Sequence, residues 1–256
     1  MRQRRQRRDA ILAAVAAGDS DVDGLAARFG VSASTIRRDL QDLSTRGAVA
    51  RTYGGAMLAA PAPESSLSAR EAENRAAKEA IAATALSEVE EGETLILDGG
   101  STVAALGRLL RGRRHRVITN NLALIPVLAD APGIDLVVLG GALRPISMGT
   151  TGPLAEMTLR RMTADRLFTS ADGVVAGRGL CEATLDQISL KTLMTEQAAA
   201  VYVLADASKL GRAGQPFWAP LRPGWVLVTD APERSCERFL ASGLRLRRAS
   251  DGASQD

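Results

Sequence analysis

The sequence predicts a two-part α/β protein: a small three-helix head with a β-wing, then a mostly parallel α/β domain. Three observations predict it. Residues 9–45 break into three short amphipathic stretches divided by tight turns. From about Glu71 onward, short apolar runs alternate with helical stretches. Between the two lies AAPAPESSLSA (59–69), whose Ala, Pro and Ser content reads as a linker. The expected division is 1–58, a linker at 59–70, and 71–249.

Residues 9–17, DAILAAVAA, have apolar residues at helical spacing and stop at Gly18. Asp21 can cap a second helix that buries Val22, Leu25 and Phe29. Gly30 and Val31 make a tight turn, and Ser32 caps a third helix running to about Thr45 and closed by Gly47. Two short helices joined by a Gly-containing turn form a helix-turn-helix. In the third helix Ile36, Leu40 and Leu43 share one face at i, i+4 and i+7 and should pack inward. Ser34, Arg37, Arg38 and Gln41 then point outward. Arg pairs bidentately with guanine and Gln with adenine, so this front suits a DNA major groove. After Gly47, AVAR alternates like a strand and Tyr53-Gly54-Gly55 turns, the outline of a wing.

Charge agrees with that reading. Residues 1–60 hold ten Arg against six Asp, whereas the remainder holds 22 basic and 23 acidic residues. A basic head on a near-neutral body points to a polyanionic partner for the head. Aromatics are only 3% of the chain, which argues against single-stranded nucleic acid held by stacking and leaves the core to Leu, Val, Ile and Ala. Cys181 and Cys236 make no disulfide framework. MRQRRQRRDA leads into small and polar residues rather than a secretion signal, and no apolar run spans a bilayer. A cytoplasmic protein with no membrane partner is expected. The one His, His115, sits in RGRRHR and reads as an exposed loop residue. A His-based triad or a His-rich metal site would have to be built around it, so no catalytic residue, metal or cofactor is assigned.

In the second domain a helix holds Ala77, Ile81 and Leu86. Strands are expected at TLILD (94–98), RVIT (116–119), DLVVLG (135–140), RLFTS (166–170), AVYVLAD (200–206) and WVLVTD (225–230). Helices fall at 122–130, 153–162 and 186–198. Apolar strands alternating with helices give a parallel sheet covered on both faces. Ligands in such sheets bind beyond the carboxyl ends of the strands. The residues there are Asp98-Gly-Gly-Ser-Thr102, Thr119-Asn120-Asn121, Gly140-Gly141, Ala171-Asp172-Gly173 and Asp206-Ala-Ser-Lys209. The first loop combines two glycines, two hydroxyls and a helix N-terminus, which together suit a phosphate. A Gly-rich strand-to-helix turn is also a common purely structural feature. It is neither the dinucleotide fingerprint nor a P-loop. Asp98 can accept hydrogen bonds from sugar hydroxyls, and Lys209 can supply a cation.

These segments are recognisable together. Ser32-Ala-Ser-Thr-Ile-Arg-Arg-Asp-Leu40, followed by Arg51-Thr-Tyr-Gly-Gly-Ala56, resembles the DeoR family of bacterial repressors. LILDGGST, VITNN, VVLGGALR, LADASKLG and VLVTD resemble that family's segments in the same order. The resemblance covers nearly the whole chain. It implies a winged helix-turn-helix head and a sensor domain similar to sugar-phosphate isomerases of the ribose-5-phosphate isomerase type. It also implies a repressor of carbohydrate genes that binds double-stranded operator DNA and is released by a phosphorylated sugar. A homo-oligomer, dimer or tetramer, would match two-fold operators. On the DNA side the resemblance adds Ser32, Thr35, Arg51 and Tyr53 to Ser34, Arg37, Arg38 and Gln41. The effector site it implies contains Asp98, Gly100, Ser101, Thr102, Thr119, Asn120, Gly141, Asp172, Lys191 and Lys209. One departure stands out: Ser170 occupies the place before Ala-Asp-Gly where the family commonly has glycine, and a side chain there can narrow the pocket. The stretch GLCEATLDQ (179–187) matches loosely. Two other readings stay open, an isomerase-like enzyme with a DNA-binding head and a constitutive DNA-binding protein with a vestigial pocket.

Overall fold

The computed structural model describes residues 2–16, 19, 21–45, 47–52, 55–58 and 64–249. Helix α1 (Arg2–Ala16) starts well before Asp9, so the basic run is helical from its beginning. Arg4, Arg7 and Arg8 are held by α3, as shown below, and this tertiary contact extends the helix past its apolar stretch. Asp21 caps α2 (Val22–Phe29), accepting from the amides of Asp23 and Gly24 at 3.2 and 2.6 Å. Gly30 closes α2 in the left-handed region, φ 62°, where a side chain would be strained. Next come α3 (Ala33–Thr45) and the antiparallel hairpin β1 (Val49–Thr52) and β2 (Gly55–Leu58), which place Arg51 opposite Ala56. Ile11, Leu25, Ile36 and Leu40 are fully buried at the centre of the head.

The linker expectation changes at its C-terminal half. Residues 59–63 lie outside the described residues, but 64–72 pack on the second domain. Ser66 caps α4 (Leu67–Ala72), accepting from the Ala69 amide at 3.2 Å. Leu67 is buried, its amide donates to the Ile146 carbonyl at 2.8 Å, and Glu64 pairs with Arg144. One buried leucine and one closed ion pair order a stretch that composition alone assigns to coil.

The second domain runs α5 (Arg75–Leu86), β3 (Thr94–Leu97), α6 (Ser101–Leu109), β4 (His115–Thr119), α7 (Ile125–Leu128), β5 (Ile134–Val138), β6 (Ala142–Arg144), β7 (Gly149–Thr151), α8 (Pro153–Leu159), β8 (Ala164–Thr169), β9 (Gly173–Val175), β10 (Gly179–Glu182), α9 (Leu185–Glu196), β11 (Ala198–Leu204), β12 (Phe217–Ala219), β13 (Val226–Thr229), α10 (Glu233–Ala241) and β14 (Arg245–Arg248). Seven strands form one sheet, ordered β14-β13-β11-β8-β3-β4-β5, with every pair parallel. Alternation along the strands feeds two layers. Leu95, Leu97, Val117 and Phe168 pack with α5, α6 and α7; Ile96, Ile118 and Leu167 pack with α8, α9 and α10. The expected strands and helices are therefore present, and they are covered on both faces.

The strand order positions the site. The chain steps from β3 outward to β5, then returns to β8 on the other side of β3 and steps outward again. The reversal leaves a crevice beyond the carboxyl ends of β3 and β8. Two small antiparallel sheets stand outside the main sheet, β6-β7 and β12-β10-β9; neither was expected. His115 corrects another expectation. It opens β4, is 3% exposed and places Nδ1 3.3 Å from the Glu93 carbonyl oxygen; pairing of β4 with β5 draws it off the loop and into the sheet. Cys181 and Cys236 are free and buried. No described helix is long and apolar enough to cross a membrane.

Candidate functional site

At the crevice, Asp98 follows β3 and keeps its amide on β8, donating to the Phe168 carbonyl at 3.0 Å. Its carboxylate is therefore fixed by the backbone. One oxygen accepts from the Gly99 amide at 2.6 Å; the other accepts from Thr169 Oγ1 at 2.6 Å and from Lys191 Nζ. Lys191 reaches this point from the middle of α9, which a Thr184–Gln187 capping box anchors. Its Nζ also donates to the Ser170 carbonyl at 2.6 Å and Thr169 Oγ1 at 3.0 Å, and lies 3.3 Å from Glu182 Oε1. Asp98, Glu182 and Lys191 are all nearly buried. Burial pushes the Glu182 carboxyl up to about 7; Lys191 pulls it down, while Asp172 and Asp98 add to the rise. Burial pulls the Lys191 ammonium down, but Asp98 and Glu182 outweigh it and hold it above the ordinary lysine value.

Arg70, Asp98, Gly99, Gly100, Asn120 and Ser170 line a cavity of about 40 Å3 at this cluster, closed by Ser147, Gly149 and Thr151 from the β6–β7 hairpin and by Glu182, Gln187 and Lys191. Ser170 occupies part of the crevice: its Oγ donates to the Gly99 carbonyl at 3.0 Å, and a Cβ added at Gly100 would collide with it. Gly100, at φ 120°, is also the N-cap of α6 and brings no side-chain cap, so the first-turn amides of α6 face this end of the sheet. Asn120 donates from Nδ2 to the Thr150 carbonyl at 3.1 Å, and its buried Oδ1 has no partner among the described residues.

The expected site residues divide. Asp98, Gly100, Asn120 and Lys191 line the cavity. Ser101 lines a wider groove of about 640 Å3 on the other side of α4. Asp172 sits behind the cavity wall, accepting from Gln215 Nε2 at 3.1 Å and lying 3.4 Å from Arg70 Nη1. Thr102 is buried in the first turn of α6. Thr119 turns inward: fully buried, it donates to the Leu97 carbonyl at 2.6 Å and accepts from the Asn121 amide at 3.0 Å, which braces the loop. Gly141, at φ 128°, lets the chain pass the Thr151 carbonyl, where a Cβ would collide. Lys209 is half-buried and held below the ordinary lysine value, by burial first and by Arg212 next. Arg70, Thr169, Glu182 and the β6–β7 residues were not read from the sequence. Arg70 was hidden in the supposed linker and Glu182 in the loosely matched stretch.

In the head, Ser32, Ser34, Arg37, Arg38 and Gln41 are exposed, and Thr35 is half-buried. Ser32 Oγ lies 2.9 Å from both Ser34 Oγ and Thr35 Oγ1 and accepts from the Thr35 amide at 3.3 Å, so it organises the start of α3. Arg51 is placed on β1 by its backbone, and Tyr53 lies outside the described residues. Behind α3, Asp39 is 1% exposed and accepts from Arg7 Nε at 2.7 Å and Arg8 Nε at 3.1 Å. Arg8 also pairs with Asp42, and Arg4 lies 3.3 Å from it. Part of the head's positive charge thus clamps α1 to α3. Burial would raise the Asp39 carboxyl, but Arg7 and Arg8 outweigh it and hold it below the ordinary value.

Comparison with known proteins follows the same two parts. Residues 7–62 match the DeoR-like helix-turn-helix domain, and residues 73–231 match the DeoR C terminal sensor domain. The transcriptional repressor AccR of Agrobacterium fabrum is 32% identical, over 86% of this chain and 87% of that protein. The lactose phosphotransferase system repressor of Lactococcus lactis subsp. lactis is 30% identical, over 78% and 80%. Among solved structures, ribose 5-phosphate isomerase A from Methanocaldococcus jannaschii is 21% identical with a TM-score of 0.40, over 54% of this chain and 55% of that chain.

Proposed function

The chain belongs to the DeoR family of helix-turn-helix regulators with a C-terminal sensor domain, and from that premise we propose that it is a cytoplasmic repressor of carbohydrate genes, released from operator DNA by a phosphorylated sugar. One observation carries this reading: a single chain presents an exposed Ser34, Arg37, Arg38 and Gln41 face on α3 and, separately, a polar cavity at the switch point of a parallel sheet. The first is suited to base edges. The second sets the amide end of α6 beside carboxylates and an amide that match sugar hydroxyls. Relatives named as repressors, one of them of a lactose phosphotransferase system, support the regulatory reading over an isomerase-like enzyme.

The cavity of about 40 Å3 has room for a few waters, far below the roughly 300 Å3 of a ligand pocket, so in this reading a wall moves to admit the sugar phosphate. Within this reading Asp98 and Asn120 address hydroxyls, while Thr119 and Gly141 shape the loops. The head comprises 1–58, and because Glu64 and α4 pack on the sensor, the sensor side begins at about residue 64 rather than 71. Leu143, Leu154 and Met157 are more than half exposed on β6 and α8, which supports a homo-oligomer built on that side.

The DNA-facing half is tested with duplex from upstream of the gene itself. Arg37→Ala and Arg38→Ala should each cost about 1–3 kcal/mol if the residue reads a base. If it touches phosphate, affinity should fall alike on all sequences and the salt slope should drop. Unchanged affinity in the double variant, with the head folded, removes α3 as the reading helix.

A further inference from the structure

Two cations line the cavity among the described residues, Lys191 and Arg70, and they differ in what they have left to offer. Lys191 has three N–H donors, and Asp98, Thr169, the Ser170 carbonyl and Glu182 surround them. Arg70 is the opposite case. Its side chain is 15% exposed, and its one ion pair among the described residues, Nη1 to Asp172 Oδ1, is long at 3.4 Å; charge-assisted pairs close to about 2.7–2.9 Å. Its Nε and Nη2 are buried and have no partner among the described residues. These two nitrogens are paired donors of a planar guanidinium, a geometry that can engage two oxygens of one phosphate side by side.

Arg70 also occupies a particular place in the chain. It sits on α4, the first helix after wing strand β2, with only residues 59–66 between them. Helix α4 is the partition between two spaces: Arg70 lines the inner cavity, while Ser68, Glu71 and Ala72 line the wider groove that Ser101 shares. The turn after α4 is tied down by buried Lys78, whose Nζ donates to the carbonyls of Arg70 and, at 2.6 Å, Glu73. A pull on the Arg70 guanidinium therefore acts on a short, anchored element that leads directly to the DNA-binding head.

We infer that Arg70 takes the phosphate of the effector through Nε and Nη2, and that this contact couples the sensor to the head by fixing α4. The inference rests on the phosphorylated-effector reading above. Asp172 orients the guanidinium from behind, itself held by Gln215. The ligand favours whichever position of α4 lets both nitrogens reach the phosphate, and an equilibrium shifts only by such a difference in affinity.

The test uses the full chain with inorganic phosphate, ribose 5-phosphate and glucose 6-phosphate as probes, in two readouts. Calorimetry gives affinity, and hydrogen exchange follows the amides of residues 64–73. The wild type should bind at least one probe and slow exchange across 64–73. Arg70→Gln should weaken binding about tenfold or more, the usual scale for losing a charge-assisted contact, and at saturating probe should show no added protection over 64–73. Arg70→Lys keeps the charge but not the two-point fork, and should recover only part of the affinity; it also serves if the Gln variant fails to fold. Equal affinity in both variants, or protection of α4 that survives Arg70→Gln, overturns the inference and leaves the effector reading intact. A wild-type chain that binds none of the probes overturns both.

Discussion

The head and the sensor each bury a carboxylate against cations, with opposite results. Asp39 and Glu182 have side chains only 1% and 8% exposed. Asp39 meets Arg7 and Arg8, and their hydrogen bonds and charge overcome its burial. Glu182 shares the single Lys191 with Asp98 and has Asp172 nearby, so burial dominates and its carboxyl rises to about 7. Both carboxylates are out of solvent, but Glu182 lies deeper, so depth of burial and the number of cations per carboxylate together set which way each one moves. An oversupplied acid makes a rigid clamp, as between α1 and α3. An undersupplied cluster keeps a proton in play at neutral pH, as perturbed sites in crevices often do.

The strongest way to break this contrast is to remove the shared cation. Lys191→Ala leaves Asp98 and Glu182 facing each other without it, and breaking a buried ion pair costs about 3–5 kcal/mol. Denaturant unfolding of the sensor should show a loss of that size, with the head's transition unmoved. A loss under about 1 kcal/mol would mean that the cluster is solvated.

A smaller effect sharpens the contrast, because the two carboxylates predict opposite pH slopes. Glu182 is raised in the folded state, so its contribution is full below its unfolded value near 4.5 and is lost as pH rises through about 7. Asp39 is lowered, so its contribution is present above its unfolded value near 3.8 and is lost as pH falls below it. Glu182→Gln should flatten the sensor's decline between pH 4.5 and 7, an effect on the order of 3 kcal/mol. Asp39→Asn should remove the head's acid sensitivity below pH 4 at the expense of stability at neutral pH. Parallel slopes in the two domains would contradict this contrast.

The same contrast explains what was legible in the sequence. Ile36, Leu40 and Leu43 announce α3 because a helical face is a local pattern, and the outward residues follow by elimination. The buried strands of the main sheet are legible for the same reason: TLIL and VLVT are apolar runs that end in polar loop residues. Strands β6, β7, β9 and β12 are three residues long, too short for alternation to register, and they exist because they pair. Arg70, Glu182 and Thr169 enter the site through contacts that span long stretches of chain, for which no spacing rule exists. His115 was misplaced because its neighbours are arginines, and α4 was missed because Ala, Pro and Ser mark coil unless something such as Leu67 finds a hydrophobic seat.

In the proposed function the polar cavity and the α3 face are two ends of one switch. The most direct measurement is the affinity of the full chain for duplex from upstream of its gene, by fluorescence anisotropy, with matched sugar and sugar-phosphate pairs added. One phosphorylated member should weaken DNA binding by about 5- to 150-fold, a coupling of about 1–3 kcal/mol, while its unphosphorylated partner does little. DNA should weaken binding of that sugar phosphate by the same factor, since coupling is reciprocal. DNA affinity indifferent to a sugar phosphate that demonstrably occupies the cavity would contradict the account.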